Sequence, residues 1–271
     1  MKIQSPENLL LIQNKPFFLW AGACAFVSVS FLFLYLNLNP EWMLAIHASP
    51  IMPPMFWSLM NLGGDAWVVL LILLWVEKHP GEMTSWILKT WISGALIVHA
   101  IKLAYPMARP GSVLNIESLS LIDHPPLVSS SMPSGHALAA ICCCFILGKV
   151  ISTRKLSQWL LALTVCIGAL VAWARVAVGA HWPSDVFAGA GLGLAVVMIA
   201  QSWERHSSWN AWFQKKSGIV LLITLHILIA LHLTVPQSNF FWVQFFQLNL
   251  ACLSLWRAVF LIRNYFLAQT A

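Results

Sequence analysis

The chain has 271 residues, of which 59% are hydrophobic and only 9% are charged. Soluble domains average about 25% charged residues, so this composition excludes an ordinary soluble protein. The formal net charge is +6, yet the sequence has no basic run with interleaved aromatic residues, and we expect no nucleic-acid partner. A positive charge in so apolar a chain is instead typical of the loops that orient a membrane protein.

Apolar runs of about 20 residues, the length that crosses a bilayer, recur along the whole sequence. They predict an all-α, polytopic membrane helix bundle of eight spans. The spans are expected at about 17–37, 54–76, 85–104, 134–151, 158–178, 184–202, 218–235 and 240–259. No internal repeat or long linker separates them. We therefore predict a single membrane domain, residues 1–271, with a six-span core at about 17–202 and two additional spans at about 218–259.

The basic residues predict an orientation. If the N-terminus is cytoplasmic, twelve of the 15 lysines and arginines, Lys2 and Lys15 among them, lie on or near the inside, as the positive-inside rule requires. The three exceptions are Lys102, Arg109 and Arg175, which need another explanation. Two of them flank or lie in the longest segment between spans, about residues 105–133, and loops of that length are often functional.

Three short motifs are predicted to meet at this outer face. They are Lys102 followed, after six intervening residues, by Arg109-Pro110; Pro133-Ser134-Gly135-His136; and Arg175 with His181 and Asp185.

The second of these motifs opens a span. Ser134 is a typical N-cap, and the free N–H groups at a helix amino end bind anions. Gly135 has no side chain that would block the approach of a ligand. His136 then stands in the first helical turn, beside any anion that binds there.

The third motif joins two spans. Pro183 suits the first turn of the second of them. His181 precedes that helix and Asp185 lies in its first turn, so the carboxylate can bond one imidazole nitrogen. The other nitrogen is then free to attack.

Each motif alone also has a purely structural interpretation. Lys102 could reach the head-group region from a helix end, Arg175 and Asp185 could form an ion pair, and the second motif could be only a capped helix start. Together, three cations, two histidines and a helix amino end favour phosphoryl chemistry on a polyanion. Two histidines and a carboxylate could hold iron, but three flanking cations would repel a dication. We expect neither a metal nor a cofactor.

The motifs resemble the three-part signature of the type 2 phosphatidic acid phosphatase superfamily of membrane lipid phosphatases. That signature is lysine, six residues, Arg-Pro; then Pro-Ser-Gly-His; then Ser-Arg, five residues, His, three residues, Asp. All three parts occur here in order, and the resemblance covers about residues 55–202. One position departs, because Ala174 stands where the family usually has serine, which puts one minor phosphate contact in doubt.

The resemblance implies a metal-independent hydrolase that works through a phosphohistidine. His181 would attack phosphorus, Asp185 would orient it, and His136 would protonate the leaving oxygen. The phosphoryl oxygens would be held by Lys102, Arg109, Arg175 and the amides around Ser134 and Gly135.

The resemblance also implies a lipid phosphate or pyrophosphate substrate, presented among membrane lipids at the outer face. A bacterial inner membrane, with the site facing the periplasm and the N-terminus in the cytoplasm, is the expected location. A lipid phosphotransferase, which passes the phosphoryl group to a second lipid, is the main alternative. A transporter or scaffold that only binds an anionic lipid is another, but transporters usually carry midplane charges and internal repeats. The oligomeric state is left open.

Four more polar residues lie within predicted spans. Asp65 follows Gly63-Gly64 and either borders the pocket or pairs within the bundle, which we favour. His99 lies one turn below Lys102 and either supports the site or is a satisfied core histidine. We assign no role to His226 and His232.

Overall fold

The computed structural model describes residues 16–266, and this part of the chain is helical without strands. The helices are α1 (Pro16–Tyr35), α2 (Leu38–Ala48), α3 (Pro54–Gly63), α4 (Ala66–Leu74), α5 (Glu82–Ala104), α6 (Pro110–Val113), α7 (Gly135–Thr153), α8 (Gln158–Ala177), α9 (Pro183–His206), α10 (Asn210–Phe213), α11 (Lys216–Thr234) and α12 (Phe241–Phe266). A short 3-10 turn, Ile116–Ser118, lies between α6 and α7.

Seven of these helices are long and apolar enough to cross a membrane, and α3 with α4 makes an eighth span if the bent pair is counted as one. The prediction of an all-α, multi-pass membrane bundle is confirmed. Lys2 and Lys15, which contribute to the predicted orientation, lie outside the described residues.

The second predicted span, 54–76, is not one continuous helix. It breaks between Gly63 and Ala66, and the two halves are bent by 61°. The Asp65 carboxylate accepts hydrogen bonds from the backbone N–H groups of Trp67 and Val68 at 2.9 and 3.2 Å, so it caps the second half as a new helix. The apolar run predicted a span here, but the Gly-Gly-Asp break decides its shape.

The end of the last helix and the segment that follows α1 also differ from the prediction. The last helix continues to Phe266 rather than ending near 259. Helix α2, which was not predicted, is an 11-residue helix separated from α1 by Asn37 in the left-handed conformation. Its Asn39 side chain donates to the Ser184 hydroxyl at 2.8 Å and accepts from the Ser184 N–H at 3.1 Å. These bonds hold α2 against the start of α9. Because the two residues are far apart in the chain, local sequence patterns do not reveal this contact.

Helix α9 is the centre of the bundle and packs against α1, α5 and α7. Glycines allow these close approaches. A Cβ atom at Gly189 would lie 2.4 Å from the Ser134 carbonyl oxygen, and one at Gly191 would lie 2.7 Å from the Ala23 carbonyl oxygen. The first of these contacts holds the start of α7 directly beside α9. The two additional helices, α11 and α12, pack on each other and against α4 and α3, respectively.

Candidate active site

The three motifs meet at one end of the bundle, which we call the site end. There α5 ends close to Lys102, α7 begins at Gly135, and α8 passes into α9 through His181. The Ser134 hydroxyl accepts a hydrogen bond from the Ala137 N–H at 3.3 Å, so the predicted N-cap is confirmed. Pro183 occupies the first turn of α9, also as predicted.

The His181 and Asp185 side chains form the predicted pair. The distance between His181 Nδ1 and Asp185 Oδ2 is 3.2 Å, and both side chains are buried. The same carboxylate oxygen also accepts from the Trp182 N–H at 2.9 Å and from the Ser131 hydroxyl at 2.5 Å. Three donors on one oxygen hold the carboxylate still. When Nδ1 carries the proton toward Asp185, Nε2 presents its lone pair.

Lys102 and Arg109 are held by the backbone of the serine run that precedes α7. Lys102 Nζ donates to the Ser130 carbonyl at 2.7 Å, and Arg109 Nε donates to the Ser129 carbonyl at 3.0 Å. Arg109 Nη1 donates to the Ala180 carbonyl at 2.6 Å and lies 3.3 Å from His181 Nε2. The guanidinium group therefore stands beside the nitrogen of His181 that is free of Asp185.

Arg175 is positioned from a different helix. Its Nη1 donates to the Asn61 side-chain oxygen on α3, and its Nε is buried without a hydrogen-bond partner among the described residues. The alternative of a structural Arg175–Asp185 ion pair is wrong, because no such pair occurs among the ion pairs of residues 16–266. Within residues 16–266, none of Lys102, Arg109 and Arg175 forms an ion pair with a carboxylate.

This environment keeps His181 neutral. Burial lowers the pKa of its imidazole well below the usual value of 6.5, and the charges of Arg175, Arg109 and Lys102 lower the pKa further. A neutral imidazole has the lone pair that a nucleophile needs. The cations that would bind an anion therefore also favour the form of His181 that has a free lone pair.

His136 lies in the first turn of α7 and lines a groove of about 420 Å³ between α4, α5 and α7. Gly64, at the break of the second span, packs closely on this histidine, since a Cβ atom there would lie 3.0 Å from His136 Cβ. A Cβ atom at Gly135 would touch only Val98, at 3.9 Å. Protein packing therefore does not require glycine at position 135. The missing side chain leaves room for a ligand. The groove walls are mainly apolar. Leu70, Leu73 and Ile87 line the part of the groove that lies farthest from the site end.

Asp65 both borders this groove and pairs within the bundle. Its Oδ2 lies 3.3 Å from His232 Nε2 on α11, so His232, to which the sequence assigned no role, forms part of the groove wall. His99 also lines the groove, and its Nδ1 bonds the Ala95 carbonyl oxygen at 2.8 Å. His226 instead bonds Ser254 at 3.1 Å, away from the site.

Sequence reasoning missed two residues that position the site, Asn61 and Ser131. Ser131 belongs to the serine run Ser129–Ser131, but no local pattern shows that its hydroxyl reaches Asp185. Ala174 is fully buried, and as an alanine it has no hydroxyl to offer a phosphate group. In the described part of the chain, no three or more His, Cys, Asp or Glu side chains are grouped so that they could hold a metal ion.

Comparison with known proteins agrees with the motifs. The family model of the PAP2 superfamily matches residues 84–209, which include all three motifs. An undecaprenyl-diphosphatase of Sulfolobus acidocaldarius is 28% identical over 127 residues. That alignment covers 47% of this chain and 58% of the relative, so less than two thirds of the relative's length is matched.

Two solved structures are similar. The crystal structure of a transmembrane PAP2-type phosphatidylglycerolphosphate phosphatase from Bacillus subtilis is 19% identical and covers 71% of this chain and 96% of that chain, with a TM-score of 0.50. The crystal structure of Aquifex aeolicus LpxE is 24% identical and covers 61% of this chain and 95% of that chain, with a TM-score of 0.49. The first of these likenesses shows the fold.

Proposed function

We propose that this chain, whose residues 84–209 match the family model of the PAP2 superfamily, is an integral-membrane phosphatase that hydrolyses a lipid phosphate or pyrophosphate through a phosphohistidine. One observation carries the proposal. The His181 imidazole is bonded to Asp185 at Nδ1 and has Nε2 beside Arg109, in a pocket with three cations that no carboxylate neutralises within the described residues.

The first step forms the phosphohistidine. The Nε2 lone pair of His181 attacks phosphorus, a P–N bond forms, and the bond from phosphorus to the leaving oxygen breaks. His136 donates a proton to that oxygen, and Asp185 stabilises the positive charge that develops on His181. Lys102, Arg109, Arg175 and the amides at the start of α7 hold the phosphoryl oxygens, where charge stabilisation contributes most.

The second step releases phosphate. His136, now neutral, accepts a proton from water as the water oxygen attacks phosphorus. The P–N bond breaks and returns its electron pair to His181, so both histidines regain their starting protonation states. Neither step needs a group that the chain does not supply.

The groove beside His136 supports a lipid as the leaving group. The general acid must lie next to the leaving oxygen, so the substituent on that oxygen enters the groove. Its deep walls are apolar, and a hydrocarbon chain there removes apolar surface from the surrounding bilayer without burying polar groups. The substrate would reach this groove from the leaflet at the site end.

We also propose that the site end faces the periplasm of a bacterial inner membrane. The opposite end carries many basic residues, and by the positive-inside rule they support a cytoplasmic location for it. Among them are Lys78, Arg154, Arg205, Lys215 and Lys216.

The test is phosphate release by the purified, detergent-solubilised protein from a panel of lipid phosphates and pyrophosphates, with excess chelator. We expect release from at least one lipid to survive the chelator and to fall by more than about 10³-fold in His181→Ala. His206→Ala is the matched control, since its histidine is exposed at the end of α9 away from the site, and it should retain full activity.

Three outcomes would contradict the proposal. Activity that survives in His181→Ala would exclude this nucleophile, and activity that chelator abolishes would exclude the metal-independent mechanism. Labelled phosphate that passes to an added lipid rather than to water would identify a phosphotransferase.

A further inference from the structure

A second polar pocket lies at the opposite end of the bundle. It has a volume of about 380 Å³ and is formed where α4 ends, where α7 ends and along the last turns of α12. We call it the basic pocket and define it by Trp75, Lys78, Arg154, Trp256, Arg257 and Phe260. Because α4 and α7 begin at the site end, this pocket and the His181 site lie on opposite faces of the membrane-spanning bundle.

The lining of the basic pocket carries three cations and no carboxylate. Arg257 Nη2 donates to the backbone carbonyls of Glu77 and Lys78, and Arg154 Nη2 donates to that of Val76 at 2.8 Å. The Glu77 carboxylate is nearby, but its oxygens cap α5 by accepting from the N–H groups of Met83 and Thr84 at 3.1 and 2.9 Å. The positive charge of the pocket therefore exceeds the negative charge around it.

Two hydrogen-bond donors of the residues that line this pocket have no acceptor within residues 16–266. Arg257 is only 6% exposed, and its Nε is buried without a partner. Trp75 Nε1 is also buried without a partner, and its ring lies 5.6 Å from the Arg257 guanidinium carbon. An arginine that only satisfied the positive-inside rule would keep its charged group in water. Here both donors belong to residues that line the pocket and are buried, where an unpaired N–H is costly.

We propose that the basic pocket binds the phosphate group of an anionic membrane lipid in the leaflet opposite the His181 site. Phosphate oxygens would accept from Arg257 Nε and Trp75 Nε1 and would neutralise Lys78 and Arg154. Basic pockets between membrane helices on the cytoplasmic side are suited to lipid head groups. Trp75 and Trp256, whose rings lie 5.4 Å apart, supply the aromatic surface typical of head-group depth.

The surroundings of the pocket favour a lipid over free phosphate. Beside it, α12 presents apolar side chains on its outer surface, with Trp256 60% exposed and Val259 59% exposed. A lipid whose phosphate occupies the pocket would lay its chains along this surface. Trp75, Lys78 and the whole of α12 lie outside residues 84–209, so most of the pocket is not part of the segment that matches the family.

The test is lipid retention by the purified full-length protein, measured by native mass spectrometry after incubation with phosphatidylglycerol or, separately, with zwitterionic phosphatidylcholine. We expect phosphatidylglycerol to be retained preferentially. The double variant Lys78→Gln/Arg154→Gln should bind it about 10- to 30-fold more weakly, as expected when two cations at head-group depth are removed. Both side chains are exposed, so the substitutions leave the packing intact.

Two further variants sharpen the test. Arg205→Gln removes a similar exposed charge at the same end but outside the pocket, and it should retain the lipid like the parent protein. Arg257→Lys keeps the charge but removes Nε, and it should weaken binding as well. Equal retention by the parent protein, the double variant and Arg205→Gln would overturn the proposal. Displacement of the lipid by millimolar inorganic phosphate, with no preference for lipid, would overturn the lipid as the source of the phosphate group.

Discussion

Two buried groups of charges, one at each end of the bundle, are built in opposite ways. At the end away from the site, Lys89 Nζ lies 2.5 Å from Glu204 Oε2, and Ser85 donates to the same oxygen at 2.5 Å. Lys89 also donates to the Ser207 carbonyl and lies 4.8 Å from the centre of the Trp209 ring. Lys89, the cation of this group, therefore has its anion within the protein.

At the site end the cations have no such anion. Lys102 and Arg109 are held by carbonyl oxygens, and Arg175 is held by the Asn61 amide oxygen. Neutral acceptors fix the positions of these side chains without cancelling their charge. The difference teaches how to tell a structural charge from a functional one in a membrane bundle, because an uncompensated group of cations needs an anion from outside.

The largest effect is expected of Glu204→Gln, which tests whether the Lys89–Glu204 pair is structural. It should lower the free energy of unfolding by about 3–5 kcal/mol, since it leaves Lys89 as a buried unpaired charge. Thermal unfolding in detergent measures the loss, with the exposed Glu117→Gln as the control for the same chemical change. The folded fraction should keep its phosphatase rate. A stable Glu204→Gln protein that is inactive would contradict the structural role.

The opposite pattern is expected of Lys102→Met. The substitution keeps most of the unbranched stem of the side chain and removes one of the three cations at the site end, so phosphate release should fall by about 10²-fold. Stability should be unchanged or slightly higher, because repulsion from Arg109 and Arg175 is relieved. Unfolding and turnover are measured on the same preparation. A large loss of stability with normal turnover would show that Lys102 is structural after all.

Ser131→Ala tests the positioning of Asp185. It removes one of three donors to Oδ2 while the Trp182 N–H and His181 remain. Hydrogen bonds to charged groups contribute about 1.5–3 kcal/mol, so we expect kcat to fall by roughly 10-fold or somewhat more with little change in KM. Ser129→Ala is the matched control within the same serine run, because Arg109 Nε still has the Ser129 backbone carbonyl as its acceptor. Equal rates for the two variants would exclude the role of Ser131.

The smallest expected effect concerns pH. A histidine whose pKa is lowered stays neutral as the pH falls, until the pH reaches that lowered value. Because His181 must be neutral to attack, the acid limb of the profile of kcat/KM should lie below pH 6.5, with no loss of activity between pH 7.5 and 6.5 from this group. The limb is measured by initial rates under conditions where chemistry limits turnover. An acid limb centred at pH 7 or above would contradict the environment described for His181.

Features of the site that depend on neighbours in the chain were predictable. The Ser134 cap and the His181–Asp185 pair span three and four residues, so helix geometry alone brings those groups together. Contacts between distant residues were not predictable. Asn61 and Arg175 are 114 residues apart, Ser131 and Asp185 are 54 apart, and Asp65 and His232 are 167 apart.

The sequence by itself determined that this is a multi-pass helical membrane protein, because about 20 apolar residues per span leave few other solutions in a bilayer. It also determined the resemblance to a known family and the residues of the three motifs, because the spacing within each motif is local. Only the tertiary structure decided how those motifs are held and what surrounds them. The groove wall at His232 on α11 and the basic pocket beside α12 both arise from contacts between helices that are far apart in the chain. No local sequence pattern predicts which faces of two apolar helices will pack together.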